Sequence, residues 1–132
     1  MSLCLAAGPL LATLQVSAFT LAWTHSIEKT RWEEDWIVRE QTLAIREARI
    51  RGSGAGMEPP AGARLENGTW HYVPAQARHV VLRLTHSPHA AGYELCTDRG
   101  CRLLADLLPG LKDNPDTTAV IELTACSEGA RS

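Results

Sequence analysis

Apolar and polar residues alternate along most of this chain, and turn-forming residues interrupt the alternation at short, nearly regular intervals. The beginning predicts three strands, "LCLAAG" (Leu3–Gly8), "PLLATLQV" (Pro9–Val16) and "FTLAWTH" (Phe19–His25), the third with Phe19, Leu21 and Trp23 on one face. "RLENGTWHYVP" contains Asn67-Gly68, a two-residue hairpin signal, with Leu65 before it and Trp70 and Tyr72 after it. "RHVVLRLTH" (Arg78–His86) reads as the next strand, "GYELC" and "CRLLADL" as a hairpin around "TDRG", and "AVIELTAC" (Ala119–Cys126) as the last strand. "GSGAGMEPPAGA" (Gly52–Ala63) stops any regular element with its glycines and two prolines, and "PGLKDNPDTT" is a polar connection. Together these predict an all-β fold, a single-domain antiparallel sandwich or barrel of about eight to ten short strands, with residues 1–132 as one domain.

The segment Lys29–Gly52, "KTRWEEDWIVREQTLAIREARIRG", admits two periods. As a helix it has Thr30 and Glu33 in capping-box spacing, Trp32 and Trp36 four apart, and many good helix formers. As a hairpin it places Trp32, Glu34, Trp36 and Val38 on one face, turns near "REQT", and returns with Leu43 and Ile45 sharing a face. Propensity alone leans slightly toward the helix.

Charge narrows the function classes. Thirteen Lys and Arg against fifteen Asp and Glu, formal net charge −2, are interspersed, which argues against a nucleic-acid surface. Residues 1–27 carry no Asp, Glu, Lys or Arg, yet Gly8, Pro9, Gln15, Ser17, Thr20 and Thr24 interrupt them too often for a bilayer span, and no basic stretch precedes them as in an export signal. No transmembrane segment and no visible export signal are therefore expected.

Four cysteines are placed suggestively. Cys96 and Cys101 flank a turn-forming tetrapeptide and face one another if it is a hairpin, while Cys4 and Cys126 lie in the first and last apolar runs and can bridge if those strands pair. Two bridges imply an oxidising compartment, periplasmic or exported; four reduced, partly buried thiols are the other reading. A zinc site is a weaker one, because no CxxC pair is present.

"FTLAWTHSIEKTRWEEDWIV", then "EARIRGSGAGMEPPAGARLENGTWHYVP", then "YELCTDRGC" resemble the bacterial domain-of-unknown-function family 1850 over roughly Cys4 to Cys126, most specifically in "THSIEK", "EED" and "GSGAGMEP". The resemblance implies a small exported protein, of a kind often encoded beside tripartite solute transporters, and no established activity. It also implies a hairpin after the acidic cluster, which makes the hairpin the expected reading of Lys29–Gly52, although glycines expected at its turn are absent from "REQT".

Candidate chemistry is sparse. The tripeptide "THS" recurs at Thr24–Ser26 and Thr85–Ser87, which chance allows in a chain of 132 residues. His25, Ser26 and Glu28 imitate a hydrolase constellation, but adjacent His and Ser on an extended chain point to opposite sides. His25, His86 and His89 are of ligand type without ligand spacing, so no metal or cofactor is implied. In a strand, "EED" sends Glu33 and Asp35 to one face, expected to be solvated and compensated by neighbours such as Arg31 and Arg39, and Glu34 toward the two tryptophans. If "THSIEK" and "GSGAGMEPP" share a sheet edge, His25, Lys29, Trp32, Gly54, Gly56 and Glu58 form a mixed-charge, glycine-lined site for a small carboxylate. The expected function is thus a non-enzymatic binding or accessory module for a solute or a transporter component, the alternative a small metal-dependent or hydrolytic enzyme using His25 and nearby carboxylates.

Overall fold

The computed structural model describes residues 1–24, 30–51, 62–87, 92–111 and 118–126, and among these it is built from antiparallel strands and one short 3-10 turn. Four strands form one sheet in the order β2 (Leu10–Leu14), β1 (Ser2–Ala7), β12 (Ala119–Cys126), β9 (Val81–His86). The larger sheet runs β11 (Gly100–Leu103), β10 (Glu94–Thr97), β3 (Ala18–Thr24), β4 (Arg31–Val38), β5 (Leu43–Arg51), β7 (Thr69–Tyr72), β6 (Arg64–Glu66), with β8 (Arg78–His79) paired to the start of β5. The expected all-β sandwich is present, in twelve strands among the described residues.

The two sheets share one core. Leu3, Leu5, Ile121 and Leu123 of the small sheet meet Phe19, Leu21, Trp36, Val38, Leu43, Ile45 and Leu95 of the large one. Period-two alternation does this on β1, β3 and β4; on β5 it needs a correction. Asp35 pairs with Glu47 but Trp36 with Ile45, so Arg46 is an extra residue. This bulge shifts the phase by one, so that Leu43, Ile45, Ala48 and Ile50 all face inward and Glu47, Arg49 and Arg51 outward.

Of the two readings of Lys29–Gly52, the expected hairpin is the one present and the helix is not: the described residues 30–51 hold the β4–β5 hairpin. Trp36, Val38, Leu43, Ile45, Ala48 and Ile50 bury the inner face of both strands, which outweighs helix propensities worth a few tenths of a kcal/mol, about 0.2–0.7 each. The turn lacks glycine, and Gln41 takes the left-handed conformation instead (φ 75°) while the Arg39 amide donates to the Thr42 carbonyl at 2.8 Å.

Two further expectations change. "RHVVLRLTH" is not one strand: β8 pairs with β5 and β9 with β12, so the chain passes from one sheet to the other at the exposed Val80. "CRLLADL" stops being strand at Leu103. Leu104–Leu107 form the 3-10 turn, and Leu104, Leu107, Leu108 and Leu111, at helical rather than strand spacing, plug the core.

Both expected disulfides are present. Cys96 and Cys101 are direct partners on the β10–β11 hairpin, and Cys4 bridges to Cys126, diagonal to its partner Thr124 across the β1–β12 pair. Closing 122 residues of separation restricts the unfolded chain far more than closing 5. The loop-entropy estimates are about 5 and about 2 kcal/mol.

Candidate functional site

The strand ends define one end of the large sheet. Thr24, the last residue of β3, and Arg51, the last of β5, both pair with Arg31 at the start of β4. The connections carrying "THSIEK" and "GSGAGMEPP" therefore leave from the same edge. His25, Lys29, Gly54, Gly56 and Glu58 lie outside the described residues, as do Ser26, Glu28 and His89. Of the expected site, Trp32 is described: it is half-buried, stacks on its cross-strand partner Trp23 at 6.1 Å, and donates its indole N–H to the buried Thr30 hydroxyl at 3.2 Å.

The outer face of this sheet, away from the core, carries a charge lattice. Pairing aligns Glu94, Ala22, Glu33, Arg49, His71 and Arg64 in one row across six strands, with Thr20, Asp35 and Glu47 in the next. Arg49 is the hub. Its guanidinium holds Asp35 through both ends (2.6 and 2.8 Å), Glu33 at 3.2 Å and Glu47 at 3.3 Å. Arg31 joins Glu33 to Glu94, each at 2.9 Å; Thr20 donates to Asp35 at 2.7 Å; and a ring nitrogen of His71 lies 2.9 Å from Glu47. This is not the solvated face expected for "EED", since the Glu33 side chain is only 9% exposed. Arg31 does compensate Glu33, but Arg49 reaches both Glu33 and Asp35, and Arg39 sits beyond β4 in the turn.

The carboxyls respond to their partners. Burial pushes Glu33 up, but hydrogen bonds from Arg31 and Arg49 and the nearby Arg51 charge outweigh it and hold it below its ordinary value. Asp35 is held down by the Arg49 hydrogen bond first, and Glu47 by that of His71. Arg49 is raised above the ordinary guanidinium value, chiefly by Asp35.

At the edge of the lattice an open depression of about 600 Å³ is lined by Arg49, Arg51 and His71 on one side and Glu66, Asn67, Gly68 and Thr69 on the other. Its rim is the two-residue turn read from the sequence, with Asn67 and Gly68 both at positive φ (51° and 78°) and Glu66 paired with Thr69. Sequence reading missed this depression. Arg49, Arg51 and His71 meet only through the bulge at Arg46, and the one signal was the break in alternation at "IREAR".

The opposite face presents a carboxylate of another kind. Glu34 points with Trp32 and Trp36, as read from its spacing, and pairs with Leu21 and Ala48. Among the described residues its hydrogen-bond donor is the Trp36 indole at 3.2 Å. Burial pushes its carboxyl up, against smaller opposing effects of Trp36 and the His79 charge.

Among the described residues no helix is long and apolar enough to cross a membrane. Neither a curated protein nor a solved structure matches the chain. One family does, over residues 19–104, a shorter span than Cys4 to Cys126. That stretch takes in nearly all of the large sheet, both of its faces and the cysteine hairpin, and leaves out β1, β2 and β12. With well over half its length matched, and with the acidic strand and hairpins just described inside the match, the chain belongs to the family described as a domain of unknown function, DUF1850.

Proposed function

We propose that this chain is an extracytoplasmic β-domain that binds a small carboxylate solute without transforming it, as an accessory module of a solute transporter. Two disulfides support the compartment, because such bridges persist where thiols are not kept reduced. The observation that carries the binding role is Arg51 at the wall of the outer depression. Its side chain is 60% exposed, and among the described residues its carboxylate neighbour is Glu33 at 3.4 Å, so most of its five donors are free. Arg49 beside it is already committed to three carboxylates and acts as a support. The depression is lined by two guanidiniums against the one carboxylate of Glu66. On this reading the carboxylate meets the outer face, with Arg51, His71 and Thr69 as the contacting groups.

The test is titration calorimetry of the oxidised full chain with a panel of small mono- and dicarboxylates. Saturable binding by at least one of them is expected, weakened about tenfold or more in Arg51→Gln at unchanged thermal stability, with no product formed. Heats indistinguishable from dilution across the panel, or equal affinity in Arg51→Gln, would remove the reading. Turnover of any of the compounds would move the chain to the enzymes.

A further inference from the structure

The geometry points to a second binding site, on the inner face of the large sheet, in which Glu34 and the rings of Trp23, Trp32, Tyr72 and Tyr93 receive a small organic cation bearing N–H groups, a primary ammonium. It is independent of the carboxylate reading, since it uses the other face of the same strands.

The first support is an asymmetry within "EED". Glu33 and Asp35, on the outer face, are each held by arginine, Glu33 by three and Asp35 by two ends of one guanidinium. Glu34 between them has no cationic partner within ion-pair distance among the described residues, and its single donor is an uncharged indole. It occupies a position whose cross-strand neighbours are Leu21 and Ala48, where an apolar side chain would pack at no desolvation cost. A carboxylate at such a place is costly until a cation meets it.

The second support is what surrounds it. Trp23 and Trp32 stack at 6.1 Å, and Tyr93 tilts against Trp23 at 5.6 Å. Tyr72 lies in the same cross-strand row as Glu34, one strand beyond Ala48. Both phenols feel the Glu34 charge, which raises them further after burial has done so. Glu34 and all four rings are half-buried and not sealed, so solvent reaches them. Ring faces carry negative quadrupole density, and cations are drawn to them, more strongly where water is partly excluded. Trp36 occupies one acceptor position of the carboxylate and Thr30 takes the Trp32 N–H, which leaves the remaining carboxylate lone pairs as the acceptors on offer. Acceptors beside ring faces suit an ammonium with hydrogens to donate. They repel an anion.

The probes are n-butylammonium chloride, 1-butanol, potassium butyrate and tetramethylammonium chloride, titrated into the oxidised full chain with tryptophan fluorescence and calorimetry as readouts. Butylammonium is expected to saturate with a Kd at or below about 5 mM, the limit a ligand of so few atoms makes reasonable. Butanol, butyrate and tetramethylammonium should bind at least tenfold more weakly. Glu34→Gln should weaken butylammonium by tenfold or more, and Arg51→Gln should not change it. Absence of saturation, or butanol matching butylammonium, overturns the site using the unsubstituted chain alone. Tetramethylammonium binding as tightly overturns the requirement for N–H donors, and undiminished binding to Glu34→Gln overturns the role of the carboxylate.

Discussion

Arg49 and Asp35 meet end-on, diagonally across the β4–β5 pair, with Nη1 2.6 Å from Oδ2 and Nη2 2.8 Å from Oδ1. The side chain that makes this two-pronged contact is 19% exposed, and the same guanidinium reaches Glu33 and Glu47. Such geometry suits a planar fork and no other cation of the chain's repertoire.

Arg49→Lys should therefore destabilise the chain by about 1–2 kcal/mol, and Arg49→Met, which leaves Glu33 buried beside unshared neighbours, by about 2–4 kcal/mol. Urea denaturation checks both. A lysine variant as stable as the parent would mean that charge, and not the fork, holds the lattice.

Acid should weaken the fold through this lattice. Glu33, Asp35 and Glu47 hold protons less readily folded than unfolded, so their contribution is present above about pH 5 and is lost as the pH falls through their lowered folded values. Glu34 has the opposite sign. Its folded carboxyl is raised by burial, so what it contributes is present below about pH 4 and is lost as the pH rises through the folded value, with Trp36, Tyr72, Tyr93 and His79 the groups facing it. Glu34→Gln should stabilise the chain at pH 8 by about 1 kcal/mol, read by urea denaturation, and have less effect at pH 4. Equal destabilisation at both values would show that Glu34 is a structural tie.

The β4–β5 turn offers a test of backbone strain. Gln41 sits at φ 75°, where a Cβ crowds the backbone, so Gln41→Gly should stabilise the chain by about 0.5–1 kcal/mol after the entropy cost of glycine, and Gln41→Val should destabilise it by a similar amount. Thermal unfolding reads both changes. A glycine variant of lower melting temperature would mean that the amide side chain stabilises the turn.

Legibility followed the range of the interaction. Local chemistry was readable: Asn67-Gly68 and the cysteine tetrapeptide are hairpin turns, and the alternation on Phe19, Leu21 and Trp23 and on Trp32, Glu34 and Trp36 gave the inward faces, Glu34 included. What escaped depends on partners distant along the chain. A single extra residue at Arg46 reverses the phase of β5, and "IREAR" shows only that alternation breaks, not which neighbour absorbs the break. Arg49 and His71 join only after that shift, so the outer depression was invisible. Val80 reads as the middle of an apolar run, and only the existence of two sheets makes it a crossing. The helical spacing of Leu104, Leu107, Leu108 and Leu111 is present in the sequence, but it straddles "CRLLADL", which reads as strand, and "PGLKDNPDTT", which reads as a polar connection.

The position of β12 between β1 and β9 sets an order of events. Neither β1 nor β9 is bonded to the other; each pairs with β12, so the small sheet has no continuous ladder until Ala119–Cys126 arrives. More than a hundred residues separate the β1–β2 hairpin from β12, so this pairing is among the most distant along the chain and the most costly in loop closure. The late strand also brings Cys126 to Cys4, so the bridge that closes the chain forms when the last ladder does. Without Ala119–Cys126 in place, β1 and β9 would therefore each present an unpaired strand edge, the kind of template on which another chain can add.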